Sequence, residues 1–216
     1  MDYKIWYGSL QKMSKKPLRI ALIGSRELEK HSKYFADIPL CYRVCYRMAV
    51  LGVTFTSGLC YKGMDAVAQR AYSQALKEGK VTADQFEVYV TGEDAIKKSR
   101  LPNKHLAIIR NPNTIDQTIE MASKVHGAWH NCSPDAKALH SRNCHQIFGY
   151  ELNSPVDAVI TWCPLVNGRP TGGTAVAMQL AENAGIPVFN LWNPNKKETL
   201  SHIRDFLVSK EVQGLN

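Results

Sequence analysis

The chain has 216 residues, of which 44% are hydrophobic, and its 27 lysines and arginines against 19 aspartates and glutamates give a formal net charge of +8. This length and composition suit one globular domain with a sizeable core, and no apolar run reaches the roughly 18 residues that a membrane span needs. The positive charge favours an anionic partner, such as a nucleic acid or a nucleotide phosphate.

The first 17 residues are polar, basic and aromatic, and they predict an N-terminal arm ahead of the domain. They contain no apolar segment of the kind that secretory signals need, so we expect a cytoplasmic protein with no membrane partner. Six cysteines are scattered along the chain without a Cys-x-x-Cys pair, which favours reduced thiols.

Five apolar segments are interpreted as strands, with helix-like segments between them. The predicted strands are 18–23, 53–56, 86–90, 156–162 and 186–191, and the predicted helices are about 37–51, 64–78, 114–125, 134–148, 172–184 and 200–208. This alternation predicts an α/β fold, a Rossmann-like three-layer arrangement in which a parallel sheet carries helices on both faces. We expect a single domain over 18–216, with an insertion near 93–133 that forms a lid or side wall.

Three turns rich in small residues each follow a predicted strand. They are Gly24-Ser25-Arg26, the stretch 57–63 and the stretch 171–174. Ligands of parallel sheets bind outside the carboxyl ends of the strands, and the first N–H groups of a helix attract anions. The three turns are therefore expected to meet at one edge of the sheet and to bind phosphate there.

The candidate binding residues are those whose backbone or side chain can contact a phosphate or a nucleotide: Gly24, Ser25, Arg26, Ser57, Gly58, Lys62, Gly63, Asp65, Arg142, Asn143, Gly172, Gly173 and Thr174. Arginine offers two parallel donors to a phosphate, and a lysine adds charge. For Asp65 we expect a structural or ribose-binding role, because a carboxylate repels a phosphate.

Several of these stretches resemble the Rossmann-like core of the DNA-processing protein A (Smf) family. The resemblance lies in Gly24-Ser25-Arg26, in the stretch 52–68 that contains Ser-Gly-Leu-Cys-Tyr-Lys-Gly-Met-Asp, in the helix that carries Arg142 and Asn143, and in the turn at 171–174 with the strand that follows its helix. It covers roughly residues 18–191 except for 93–133. The resemblance implies single-stranded DNA binding and loading of a recombinase.

The wider superfamily of these resembling proteins includes the Lonely Guy phosphoribohydrolases, whose signature is Pro-Gly-Gly-x-Gly-Thr-x-Glu-Glu. Gly172-Gly173 matches part of it, but no acid follows at the expected place, and Glu182 lies further along the helix.

Three functions therefore remain open. The first is binding of a nucleotide phosphate or of single-stranded DNA at the carboxyl edge of the sheet. The second is hydrolysis or transfer at a nucleotide N-glycosidic bond, with Glu182 or Glu93 stabilising the transition state. The third is a module that senses or sequesters a nucleotide.

No cofactor and no catalytic residue is predicted, since nothing separates Glu27, Glu93, Asp94 and Glu182 as general acids or bases. Domains of this kind often form dimers, so a homo-oligomer is also open.

Two further sets of residues are candidates: a tract that is rich in histidine and cysteine, and two tryptophans. His126 and His130 have the i, i+4 spacing of helical metal ligands, but Gly127 and Pro134 oppose a long helix there, so no metal is predicted. Trp162 and Trp192 lie at predicted strand ends, where they are candidates for stacking on a base.

Overall fold

The alternation of side chains along β1 (Arg19–Gly24) determines how the layers form. Ile20 and Leu22 point to one face of the sheet, whereas Ala21 and Ile23 point to the other, and all four are buried. A strand that is apolar on both faces needs helices on both sides, as is usual in parallel sheets. The continuous apolar run in the sequence is therefore the mark of a central strand.

The structure, a computed structural model, describes residues 17–101, 104–212 and 214–215, so the predicted arm lies outside them except for Pro17. The other strands are β2 (Thr54–Gly58), β3 (Phe86–Val90), β4 (Ala107–Ile109), β5 (Ala158–Trp162), β6 (Leu165–Val166), β7 (Arg169–Pro170) and β8 (Val188–Asn190). The α-helices are α1 (Ile38–Val50), α2 (Met64–Lys77), α3 (Glu93–Lys98), α4 (Ile115–Val125), α5 (Pro134–Phe148), α6 (Gly172–Asn183) and α7 (Lys196–Ser209).

Six strands form one parallel sheet in the order β4-β3-β2-β1-β5-β8, and β6 and β7 form a small separate antiparallel pair. The predicted α/β, Rossmann-like parallel fold is confirmed. From β1 the chain builds outwards to β4 and then returns to the other side of β1 to form β5 and β8. The strand order thus reverses between β1 and β5, and such switch points are where open α/β sheets leave a crevice for ligands.

Helices cover the two faces of the sheet unequally. On one face α1, α2 and α7 enclose the larger core, which includes Leu22, Phe55, Tyr72 and Trp162. On the other face α5 and α6 pack on the sheet around Ile23 and on each other, and α4 packs against both helices. None of the helices in the described residues is both long and apolar enough to cross a membrane.

The structure departs from the predicted elements in several places. β2 continues through Ser57 and Gly58, which were predicted to belong to a turn, and the pair of β6 and β7 was not predicted. The stretch 93–133 contains α3, β4 and α4, so part of it extends the sheet by a sixth strand that was not predicted. The last helix begins at Lys196 rather than near residue 200, because the Asn195 side chain caps it by accepting a hydrogen bond from the Glu198 N–H.

Candidate anion-binding site

A cavity of about 380 Å³ lies at the carboxyl edge of the sheet, where β1 and β5 separate. Three parts of the chain line it: the turn at 24–27 after β1, the inward face of α5, and the turn at 171–174 that begins α6. Its position is the topological switch point, and its size falls within the roughly 300–1,000 Å³ of small-molecule sites. The cavity is therefore the best-formed candidate site among the described residues.

The N-terminus of α6 faces this cavity without a side-chain cap. Gly172, Gly173 and Thr174 line the cavity, and Thr171 at the N-cap makes no side-chain hydrogen bond to the first turn. Within the described residues, no group accepts a hydrogen bond from the N–H of Gly172 or Gly173. The first turn also contains no acidic side chain, so the partial positive charge of the helix end is available to an anion.

Arg142 brings a full positive charge to the same cavity. It lies on the inward face of α5, which Ser133 begins by accepting a hydrogen bond from the Ala136 N–H. Only 5% of Arg142 is exposed. Within the described residues, its side chain donates a hydrogen bond from Nη2 to the Cys60 sulfur at 3.9 Å. A guanidinium has five donors, so most of them remain for a ligand in the cavity.

Asp65 also lines the cavity and balances this charge. It lies in the first turn of α2 with 4% of its surface exposed, and burial raises the pKa of its carboxyl. The charge of Arg142 opposes that rise, as do hydrogen bonds from Cys60 and from the N–H of Gly24. The carboxylate is thus placed to compensate the charge of Arg142 and to hold the loop, while the expectation of a structural or ribose-binding role stays a prediction.

The turn after β1 is held in place by its own backbone. The Ser25 N–H donates to the Trp162 carbonyl at 2.9 Å, and the Ser25 hydroxyl accepts from the Glu27 N–H at 3.2 Å. Arg26 is exposed at the cavity rim and has no hydrogen-bond or ion-pair partner among the described residues. Ser25 therefore shapes the turn, while Arg26 is available to a ligand.

Asn143 links two walls of the cavity. Its side-chain amide donates to the Gly173 carbonyl at 2.9 Å, so α5 fixes the orientation of the turn at the start of α6. A Cβ added at Gly173 would lie 3.6 Å from the ring of His140, at the distance of ordinary van der Waals contact. The predicted candidates Asn143 and Gly173 are thus in contact with each other.

Four predicted binding residues lie outside the cavity lining. The Ser57 hydroxyl donates to the Leu22 carbonyl at 2.7 Å, which joins β2 to β1. Gly58 lies directly beneath the Arg142 and Asp65 side chains, and the Gly63 N–H donates to Glu29 at 2.9 Å. Lys62 is exposed, with its ammonium 5.6 Å from the centre of the Tyr61 ring. Apart from Cys60, the stretch 57–63 therefore does not line the cavity.

Nine of the residues that line the cavity were not among the predicted binding residues, and three of these nine carry ionisable side chains. Cys60 and His140 line the wall, and Glu27 lies at the rim, where its carboxylate pairs with Lys30 and His31. The hydrogen bond from Lys30 is the main cause of a lowered pKa for Glu27. Glu27 was one of four equal acid candidates, and its place directly after Gly24-Ser25-Arg26 was the signal that could have selected it.

Several other candidates are placed away from the cavity. Glu93 pairs with Lys97 on the surface, and Glu182 is exposed near the far end of α6. Trp162 is fully buried, with its ring nitrogen donating to Asp37, so the interpretation of Trp162 as a base-stacking residue is wrong. Trp192 is partly buried against the larger core.

Comparisons of the chain with protein-family models, with curated proteins and with solved structures found no match. The resemblance to the DNA-processing protein A family therefore stays a prediction, and the site is interpreted from its own geometry.

Proposed function

We propose that this domain binds the phosphate of a nucleotide in the cavity between β1 and β5. The observation that carries the proposal is the meeting, in one cavity, of the uncapped N-terminus of α6 and the buried guanidinium of Arg142. Backbone N–H groups at a helix start and a guanidinium together provide directed donors and positive charge, and phosphate oxygens are the acceptors that match them.

A free mononucleotide suits the cavity better than a long strand does. Arg142 is almost entirely buried, and Lys62, which would extend a track of charge along the surface, does not line the cavity. Single-stranded DNA remains the second candidate, because the net charge is +8 and Arg26 is exposed at the rim. In that case the cavity would hold one nucleotide of the strand.

Cleavage of the N-glycosidic bond has less support from the geometry. The two acids on which that alternative depends, Glu93 and Glu182, do not line the cavity in the described part of the chain. The carboxylates that lie there, Asp65 and Glu27, are held by other protein groups. We therefore propose a binding function, as expected of a module that senses or sequesters a nucleotide.

Isothermal titration of the protein with nucleoside 5′-monophosphates, the matching nucleosides and inorganic phosphate tests the proposal. We expect the monophosphates to bind, and removal of the phosphate to weaken binding by at least about tenfold, because hydrogen bonds to charged groups contribute about 1.5–3 kcal/mol each. Equal binding of nucleoside and nucleotide, or no binding of either, would refute it.

Arg26→Gln and Lys62→Gln form a matched pair for the same titration. Both remove one exposed positive charge, but only Arg26 lines the cavity, so only Arg26→Gln should weaken binding of a monophosphate. A labelled single-stranded oligonucleotide at two salt concentrations separates the second candidate. Micromolar binding that weakens steeply with salt, together with weak monophosphate binding, would favour DNA.

A further inference from the structure

The connection between α4 and α5 brings three metal-ligating side chains together. His126 is the residue that ends α4, Cys132 follows a short 3₁₀ turn, and His140 lies in α5. One ligand atom from each of the three lies within 4.8 Å of the others. Within the described residues, this is the group of histidines, cysteines and acids whose ligand atoms meet closely enough for a metal ion.

The distances suit a small tetrahedral ion. The Cys132 sulfur is 3.6 Å from Nε2 of His126 and 3.8 Å from its Nδ1, and the rings of His126 and His140 have centroids 4.6 Å apart. Zinc bonds of about 2.0–2.3 Å to nitrogen and sulfur place neighbouring ligand atoms roughly 3.3–3.8 Å apart. Side-chain movements of about 1 Å would therefore complete the coordination.

His140 has a polar atom that the described protein leaves unsatisfied. Only 7% of the residue is exposed, and its Nδ1 is buried with no hydrogen-bond partner among the described residues. An imidazole nitrogen buried in this way costs free energy unless it is paired. One nitrogen of the ring would bond to a metal, and the other would contact a ligand in the cavity. Both nitrogens would then have partners, which would offset that cost.

We propose that His126, Cys132 and His140 bind a zinc ion. Two imidazoles and one thiolate are ligands that zinc prefers, and the cluster contains no carboxylate of the kind that calcium and magnesium require. Three protein ligands leave one position of the tetrahedron for water or for an anion.

The position of this zinc site connects it with the neighbouring cavity. His140 is both a member of the cluster and part of the cavity wall, beside Gly173. The thiolate reduces the charge of the bound ion to a net +1, which limits its repulsion from Arg142 and still adds positive potential at the cavity. The ion would also fix the end of α4 against α5.

Cobalt substitution in tag-free protein tests the proposal, since a histidine tag would itself bind the metal. After treatment with a chelator, titration with Co²⁺ should give one equivalent of a tetrahedral complex with visible d–d bands and a thiolate-to-cobalt charge-transfer band in the near ultraviolet. Zn²⁺ should abolish both by displacement. Cys132→Ser should remove the charge-transfer band. His126→Gln and His140→Gln should each weaken cobalt binding at least about a hundredfold, since even the loss of a residue that only orients a ligand weakens metal binding 10–100-fold.

Two variants serve as controls. His130→Gln changes an exposed histidine on the turn between His126 and Cys132, and Cys60→Ser removes the thiol in the cavity wall. Both should keep the charge-transfer band and the affinity of the unmodified protein. The proposal is overturned if the unmodified protein gives no such band, or if Cys132→Ser keeps it while circular dichroism shows that both proteins are folded. These readouts need no nucleotide, so they are independent of the proposed function.

Discussion

Two stretches with glycines, at 57–63 and at 171–174, both precede a helix near the carboxyl edge of the sheet, yet their surroundings differ. The first begins with the last two residues of β2 and continues as a turn. In the first turn, a Cβ on Gly63 would lie 2.7 Å from the Arg26 Cα and even closer to the Ser25 carbonyl. A Cβ on Gly58 would lie 2.8 Å from the Arg142 guanidinium carbon. These glycines are required because the polypeptide itself fills the space next to them.

The second turn has room beside its glycines. A Cβ on Gly172 would meet nothing within 4 Å, and a Cβ on Gly173 would meet His140 only at 3.6 Å. The two helices that follow also differ at their starts. The α2 helix has the buried carboxylate of Asp65 in its first turn, whereas the first turn of α6 has no acid. The first helix end is thus supplied with a negative charge by the protein, and the second is left for a ligand.

The comparison shows that a glycine turn before a helix is not by itself an anion site. What matters is whether the protein occupies the space next to the glycines and neutralises the helix end. On this basis we propose that the turn at 171–174 contacts the phosphate in the cavity, whereas the turn at 57–63 supports the cavity wall.

Gly63→Ala is expected to have the largest effect, because it adds a methyl group where the backbone of Ser25 and Arg26 already lies. Gly63 also has φ +78° and ψ −154°, a conformation that is almost confined to glycine. We expect a loss of about 3 kcal/mol or more in the free energy of unfolding, measured with urea. Gly79→Ala is the matched control, since Gly79 has φ +65° with nothing within 4 Å, and it should cost only about 1 kcal/mol. Equal losses would show that the packing at Gly63 does not matter.

The reactivity of Cys60 tests how tightly the first turn is packed. Burial, together with the carboxylate of Asp65, raises the pKa of the Cys60 thiol to about 11, although Arg142 opposes the rise. Since the ordinary pKa of a thiol is about 9.0, the thiolate fraction at neutral pH falls about a hundredfold, and alkylation should be slowed to match. The rate, followed by mass spectrometry of the Cys60 peptide, should rise tenfold per pH unit towards pH 11.

Asp65→Asn sharpens this test. Removal of the carboxylate takes away one cause of the raised pKa and leaves Arg142, which lowers it, so Cys60 should react faster at a given pH. An unchanged rate in this variant would contradict the proximity of Asp65 to Cys60. Rapid alkylation of the unmodified protein at pH 7 would show that the turn is open.

Arg142→Lys tests whether the guanidinium in the cavity contributes to phosphate binding. The substitution keeps a positive charge opposite Asp65, so that carboxylate stays compensated, but it removes the planar pair of donors that suits a phosphate. We expect nucleoside monophosphate binding to weaken by about 10–100-fold, with little change in the thermal unfolding midpoint. A clearly lower thermal unfolding midpoint without a loss of binding would show instead that Arg142 is a structural residue of the first turn.

The sequence predicts the layers of this fold well because the evidence for them is local. The residues 20–23 are apolar on both faces, and such a short run directly before Gly24 indicates a buried parallel strand. The strand β4 has only three residues, of which Ile109 is exposed, so neither length nor alternation distinguishes it from a loop. Its pairing with β3 depends on tertiary contacts that no short pattern reports.

The candidate site was predictable only in part for the same reason. Glycines after strands point to the correct edge, but the sequence does not tell which turn is filled by Arg142 and Asp65, since these residues lie far apart in the chain. The i, i+4 spacing pairs His126 with His130, whereas the fold places His126 beside Cys132 and His140. That group forms because the chain reverses between α4 and α5, and the reversal is a property of packing rather than of spacing.

Gly173→Ala is expected to have the smallest effect on stability and to separate folding from binding. Gly173 does not have a positive φ, and its added methyl group would lie 3.6 Å from the His140 ring, an ordinary contact. Alanine also favours a helix over glycine by up to about 1 kcal/mol, so the free energy of unfolding should stay unchanged or rise slightly. Because the methyl group narrows the cavity beside the N–H groups of α6, monophosphate binding should weaken by about two- to fivefold, or roughly 0.4–1 kcal/mol. A destabilised protein with normal binding would place this turn with the one at 57–63 and would remove the difference between them.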